Sequence, residues 1–207
     1  MSLRAVEPPI LIQTRTADSL AWMRLDLIIR VIPFGVLVLA VSVLLHPTWL
    51  GLSGGDIRAQ LGIGIPGALL IFVAAAMLQL WITRRVRGTV KVPGGAEDLS
   101  LHVAYFLVNA FAEEAFFRGL LQGGLTALGG PALGLAVATP AYVLYHRLGG
   151  WRWADVLATT LAGVPLAVAF WLLPGPPSLL GVVLIHFGAT AGFLGLGPWL
   201  LRRLGLL

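Results

Sequence analysis

The chain has 207 residues, of which 58% are hydrophobic and only 11% are charged. Because soluble domains carry about 25% charged residues, these proportions and the mean hydropathy of +0.91 exclude a water-soluble globule and a disordered chain. The formal net charge is +5, and the lack of cysteine excludes disulfide frameworks and thiolate chemistry. The composition therefore predicts an integral membrane protein.

Six apolar stretches follow one another along the chain, each close to the length that crosses a bilayer. A helix needs roughly 20 apolar residues to cross about 30 Å of hydrocarbon. Turns rich in glycine and proline separate the stretches, which lie at about 27–45, 61–83, 100–122, 131–148, 154–173 and 178–201. The predicted fold is an all-α bundle of about six transmembrane helices. Residues 1–26 form a short cytosolic arm, and residues 27–207 form a single transmembrane domain.

The positions of the 14 lysine and arginine residues predict how the bundle is oriented. They fall before or just inside span 1, where Arg30 lies, between spans 2 and 3, around the loop between spans 4 and 5, and after span 6. Only Arg58 falls on the opposite side, and Arg118 lies inside a span. Both termini are therefore expected in the cytosol. Topology and contact with anionic membrane lipid account for the positive charge, so no nucleic-acid partner is expected.

Span 3 contains three ionisable residues, Glu113, Glu114 and Arg118. Inserting such a residue into a membrane costs about 2.5–3.5 kcal/mol, so each is a functional candidate. Residues four apart share a helix face, so Glu114 and Arg118 are predicted to form a structural ion pair. Glu113 points instead towards the face of Asn109 and Phe117, without a cationic partner in its own helix. We interpret Glu113 as a candidate general base.

Two histidines lie in similarly apolar surroundings. His146 ends the stretch that begins at Tyr142 in span 4, and His186 lies inside span 6 with Thr190 one turn later. A single helical histidine is more often a packing residue, but sites in helix bundles are built from facing helices. We therefore group both histidines with Glu113. Straight spans would place the three at different depths, so a shared site requires tilted, kinked or partly re-entrant helices.

Taken together, these residues resemble the CPBP family of intramembrane proteases, which includes the CAAX prenyl proteases and the bacteriocin-processing (Abi) proteins. The resemblance covers about residues 100–195, the expected protease core. It rests on three motifs: Glu113-Glu114-x-x-x-Arg118, Tyr142-x-x-x-His146 and His186-x-x-x-Thr190. Two positions depart from the family pattern. The second motif usually begins with Phe rather than Tyr142, and the third usually ends with Asn rather than Thr190.

The resemblance implies hydrolysis of a peptide bond in or near the membrane by a water that a glutamate activates. It implies Glu113 as the general base, His146 as the residue that holds or polarises the water, and His186 with Thr190 as oxyanion stabilisers. Threonine has one donor where an amide has two, which weakens the oxyanion hole. The mechanism requires no cofactor. Family members have also been regarded as metalloproteases, and one Glu with two His is a set that zinc can bind.

Three functions remain open at this point. An intramembrane endopeptidase would cleave a hydrophobic or lipid-modified substrate, such as a leader, a C-terminal tail or a CAAX-like sequence. For this compact chain we expect a leader or a tail, in a plasma membrane of the bacterial type. A non-catalytic membrane partner would keep the motifs only for packing. A small proton-coupled transporter would use the same residues as a proton relay, although the repeated halves common in transporters are not evident.

Overall fold

The computed structural model describes residues 10–15, 17–173 and 177–207. Within these ranges the chain forms two short strands, β1 (Leu11–Arg15) and β2 (Thr89–Pro93), and a bundle of helices. The helices are, in chain order, α1 (17–45), α2 (57–87), α3 (96–129), α4 (Pro131–Tyr145), α5 (Trp153–Leu172), α6 (Leu180–Leu194) and α7 (Leu196–Arg203). The predicted all-α fold is confirmed, with the strand pair as a small addition.

Widened, π-helical turns interrupt three of the helices. They are Leu27–Val31 in α1, Thr83–Arg87 at the end of α2 and Ala115–Gly123 in α3. Such turns change the direction in which the following side chains point, and they are frequent at functional sites. The turn in α3 starts immediately after Glu114, so it separates the acidic pair from the rest of the helix.

The number of membrane spans differs from the predicted six. Among the described residues, three helices are long and apolar enough to cross a membrane: Ser19–Leu45, Ile57–Arg87 and Trp153–Leu172. A fourth is added if α6 and α7, which meet at a bend of 46°, are counted as one span. The 15 residues of α4 extend only about 22 Å, less than the hydrocarbon thickness. Helix α3 carries the charged residues described above. The count of about six is therefore not confirmed.

The N-terminal arm contains structure that the hydropathy pattern does not reveal. β1 pairs with β2 in parallel, with Leu11 opposite Thr89 and Arg15 opposite Pro93. Helix α1 then begins at Ala17 rather than near residue 27. The arm is therefore joined to the segment between α2 and α3.

The segments that the charge pattern predicts to be cytosolic lie together at one end of the bundle. The strand pair brings the N-terminal arm there. Arg84 Nη2 donates a hydrogen bond of 2.8 Å to the Leu206 carbonyl, which brings the C-terminus there as well. Arg87 pairs with Asp155 at the start of α5. The grouping agrees with the predicted topology, and the side of the membrane that this end faces stays a prediction.

Helices α2 and α6 pack closely because glycines line their contact. A Cβ atom added at Gly188 would clash with the backbone of Ala68, and one at Gly192 would clash with the backbone of Phe72. Small residues four apart allow membrane helices to approach each other in this way. This contact holds the part of α6 that carries His186. The main hydrophobic core lies beside it, between α3, α4, α5 and α6.

Candidate active site

The two carboxylate oxygens of Glu113 have different surroundings. The residue is buried on α3, with 2% of its surface exposed. Its Oε1 accepts a hydrogen bond of 3.0 Å from Asn109 Nδ2, one turn earlier, and lies 3.5 Å from Arg30 Nη1. Its Oε2 has no hydrogen-bond partner among the described residues, and lies 3.8 Å from His186 Nε2. One oxygen is therefore anchored, and the other is available for a proton.

The cationic partner of Glu113 comes from α1. Arg30 also donates a hydrogen bond of 3.1 Å to the Tyr145 hydroxyl. It pairs with Asp26, one turn earlier in α1, and Asp26 in turn accepts a hydrogen bond from Tyr105. The charge pattern alone groups Arg30 with the residues that orient the bundle, so the sequence did not predict this contact. A signal was present, because Arg30 lies inside an apolar stretch, where a charge is costly.

Glu114 and Arg118 form the predicted ion pair, and both side chains are fully buried. Arg118 Nε lies 3.3 Å from Glu114 Oε2, and Arg118 Nη2 donates a hydrogen bond of 3.3 Å to the Gly163 carbonyl of α5. The other oxygen, Glu114 Oε1, lies 2.7 Å from His186 Nδ1. Glu114 therefore also orients His186, with Nε2 of that ring turned towards Glu113. The sequence predicted the ion pair but not this second contact.

His146 lies in the tight turn that follows α4. Its Nδ1 is 2.8 Å from the Tyr142 carbonyl oxygen. A carbonyl only accepts hydrogen bonds, so Nδ1 must carry the proton. In the neutral ring, Nε2 is then an acceptor that can bind a water. The rings of Tyr145 and Trp151 lie 4.3 Å and 5.0 Å from the imidazole between centroids, and they limit its movement.

A single cavity brings the predicted site residues together. Its lining includes Glu113, His146, His186 and Thr190, and also Arg30. The Thr190 side chain is half-buried, and its hydroxyl makes no hydrogen bond to another residue in the described part of the chain. The short α4, which places His146 in the turn at its end, is one departure from straight spans that allows a shared site.

These side chains do not form a zinc site. Across residues 10–15, 17–173 and 177–207, no group of three or more His, Asp or Glu side chains is placed to hold a metal ion. The residues thus do not fit a tetrahedral zinc centre, and we derive no step through a metal.

Comparison with known protein families gives one match. Residues 95–192 match the family model described as "Rce1-like: Type II CAAX prenyl endopeptidase Rce1-like". None of the curated proteins and none of the solved structures matches the chain. The matched segment runs from α3 through most of α6 and contains all three motifs, whereas Arg30 lies outside it. With the long apolar helices, the match indicates a membrane protein. The segment that carries the three motifs is thus Rce1-like, and the resemblance to the CAAX-protease family is confirmed.

Proposed function

We propose that the protein is an intramembrane endopeptidase of the CAAX-protease type, in which Glu113 activates the attacking water. The observation that carries this proposal is the asymmetric carboxylate of Glu113. Asn109 and Arg30 hold Oε1, while Oε2 has no hydrogen-bond partner in the described ranges, and Glu113 lines the cavity together with His186. A general base needs an acceptor atom that no other donor occupies, within hydrogen-bond reach of the proton that it removes.

In the proposed reaction, Glu113 Oε2 takes a proton from water while the water oxygen attacks the carbonyl carbon of the scissile peptide bond. The resulting tetrahedral intermediate collapses, the C–N bond breaks, and the proton on Glu113 passes to the leaving nitrogen. The contacts at Oε1 keep the carboxylate in one orientation during both proton transfers. His146 supplies a second acceptor for the water through Nε2, because its Nδ1–H is already donated to a carbonyl.

In this proposal, three groups stabilise the oxyanion. When His186 is protonated on both nitrogens, Nδ1–H is donated to Glu114 and Nε2–H faces the cavity. The Thr190 hydroxyl borders the same cavity. The Tyr142 hydroxyl lies 3.5 Å from His186 Nε2. The two departures from the family motifs thus offset each other, since Tyr142 adds a hydroxyl where Phe is usual and Thr190 has one donor fewer than Asn.

The proposed substrate is a hydrophobic or lipid-modified peptide that reaches the cavity from the membrane. Apolar side chains from α2 and α6, such as Ile71 and Phe193, line the cavity beside the polar residues. A leader, a C-terminal tail or a CAAX-like sequence would supply such a segment. We place the reaction in a plasma membrane of the bacterial type, with lipid as the surrounding solvent.

The test compares peptide termini from membranes and medium of the native host, with the wild type against Glu113→Gln at matched protein levels. The matched control is Glu97→Gln, an exposed glutamate at the start of the same helix. A terminus that is lost only in Glu113→Gln identifies both the reaction and the substrate. If every terminus persists in a folded Glu113→Gln protein, the proposal fails. Flux in proteoliposomes that depends on Glu113 would then identify a transporter, and capture of a partner protein would identify the non-catalytic alternative.

A further inference from the structure

A second cavity opens beside the active-site cavity and differs from it in charge. We call it the vestibule. It is lined by Arg87, Lys91, His102, Gly150, Arg152 and Asp155, and by five residues that also line the active-site cavity: Trp22, Phe106, Trp151, Phe193 and Leu194. The vestibule therefore adjoins the active site through a shared, mainly aromatic wall, at the end of the bundle where the basic segments gather.

The cations of the vestibule outnumber its anions. Asp155 is the acidic side chain of the lining, and it pairs with Arg87. The side chains of Lys91 and Arg152 are exposed, and neither side chain forms an ion pair or hydrogen bond with another residue in the described ranges. Arg152 lies close enough to Arg87 for the like charges to repel each other. An anion bound between these cations would remove that repulsion.

The distance from the active site to the cations of the vestibule is short. Successive ring centroids lie 5.0 Å apart from His146 to Trp151 and 6.5 Å apart from Trp151 to Phe193. The Arg87 guanidinium carbon lies a further 5.8 Å from the Phe193 ring centroid. An extended peptide advances about 3.3–3.6 Å per residue, so about five residues span the distance from His146 to Arg87, which lines the vestibule together with Lys91 and Arg152.

We infer that the vestibule binds a carboxylate of the peptide substrate, located within about five residues of the scissile bond, through Lys91 and Arg152. This inference rests on the proposed function. Two carboxylates have the required chemistry, the C-terminal carboxylate and an acidic side chain. A peptide is favoured over a lipid headgroup because the vestibule shares its wall with the cavity that holds Glu113 and His146, so that one extended segment reaches both.

The test measures peptide binding by the full-length Glu113→Gln protein in phosphatidylcholine nanodiscs, where the bound peptide is not cleaved. The probe is a fluorescent 15-residue peptide with an apolar stretch followed by five polar, uncharged residues. It is made with a free C-terminus, with a C-terminal amide, and as the amide with one glutamate among the last five residues. We expect the free C-terminus or the glutamate to tighten binding by about tenfold over the plain amide, and the form that does so identifies the source of the carboxylate.

Substitution of Lys91 and Arg152 decides whether the vestibule is responsible for the preference. When Lys91→Gln and Arg152→Gln are added to the Glu113→Gln protein, the affinity ratio between the carboxylate and amide peptides is expected to fall close to one. The control is Arg58→Gln, which removes an exposed arginine outside the vestibule lining and keeps the ratio. Equal affinity of all three peptides overturns the inference, as does a ratio that the two substitutions do not change. The inference is also overturned if the protein retains phosphatidylglycerol through Lys91 and Arg152 and shows no preference among the peptides. The vestibule would then bind a lipid phosphate instead.

Cleavage of the same peptides by the wild type separates this inference from the proposed function. Carboxylate-dependent binding without any cleavage would contradict the peptidase and leave the anion site in place. Glu113-dependent cleavage without a carboxylate preference would contradict the vestibule assignment and leave the peptidase in place.

Discussion

The two sides of α3 at the acidic pair differ in how completely their charges are paired. On one side, Glu114 contacts Arg118 with one oxygen and His186 with the other, and all three residues lie within the Rce1-like segment. On the other side, Glu113 has one anchored oxygen and one without a hydrogen-bond partner in the described residues, and its cation, Arg30, comes from a helix outside that segment. In the proposed mechanism, Glu114 supports the structure of the site and the neighbouring Glu113 carries out the chemistry.

Among the substitutions that test this difference between the two glutamates, replacing Glu113 by glutamine is expected to have the largest effect. The amide keeps the shape of the side chain but is not a base, so the rate of cleavage should fall by about 10²–10⁴-fold. The rate is measured as the appearance of the peptide terminus that the wild type produces. Glu97→Gln should keep the wild-type rate. A Glu113→Gln protein that retains a tenth of the activity would show that another group activates the water.

Replacing Arg118 by alanine is expected to affect the fold rather than the chemistry. It leaves the fully buried Glu114 without its cation, which typically costs about 3–5 kcal/mol of unfolding free energy. The loss is measured as a lower denaturation temperature of the purified protein in detergent. Arg30→Ala, at a half-buried position, should lower that temperature less. Equal denaturation temperatures for wild type and Arg118→Ala would contradict the structural role of the pair.

Replacing Arg30 by alanine is expected to act on the chemical step through Glu113. A hydrogen bond to a charged group contributes about 1.5–3 kcal/mol, so kcat should fall by roughly tenfold to a hundredfold while KM changes little. Arg30→Lys should recover part of the loss, and guanidinium added to Arg30→Ala should recover part of it as well. A rise in KM at constant kcat would instead indicate that Arg30 binds substrate.

Replacing Tyr142 by phenylalanine is expected to have the smallest effect. It removes one hydroxyl near His186 and should lower kcat by about tenfold or less, because a typical hydrogen bond contributes only about 0.5–1.5 kcal/mol, less than one between charged groups. Adding Thr190→Asn to this variant restores the usual family residue at both positions and should recover activity. If the double variant is no faster than Tyr142→Phe alone, the two departures do not offset each other.

Local spacing in the sequence was enough to predict one part of the site. The pairing of Glu114 with Arg118 follows from the four-residue repeat of a helix, as does the direction of Glu113 towards Asn109. The order of the motifs identified His146, His186 and Thr190, which the structure brings to one cavity. Each of these predictions depends on positions within one helix or on a known pattern.

Contacts between distant segments were not predictable in the same way. Arg30 reaches Glu113 across 83 positions of sequence, and no periodicity within α1 reveals that approach. The pairing of β1 with β2 is equally non-local. The predicted count of about six spans is not confirmed, because hydropathy alone does not distinguish a helix that crosses a membrane from the short α4, whose Tyr142 and Val143 are buried among other helices.

The parallel strand pair gives α1 and α3 a common starting level. α1 begins at Ala17, two positions after β1 ends, and α3 begins at Ala96, three positions after β2 ends. At 1.5 Å per residue, Arg30 then lies about 20 Å along its helix and Glu113 about 26 Å along its own. Because the paired strands fix where both helices begin, the Arg30 guanidinium and the Glu113 carboxylate lie at similar positions along the axis of the bundle. One residue added between β1 and Arg30 would turn Arg30 by about 100° around the helix axis, so the number of residues in this segment is itself part of the site.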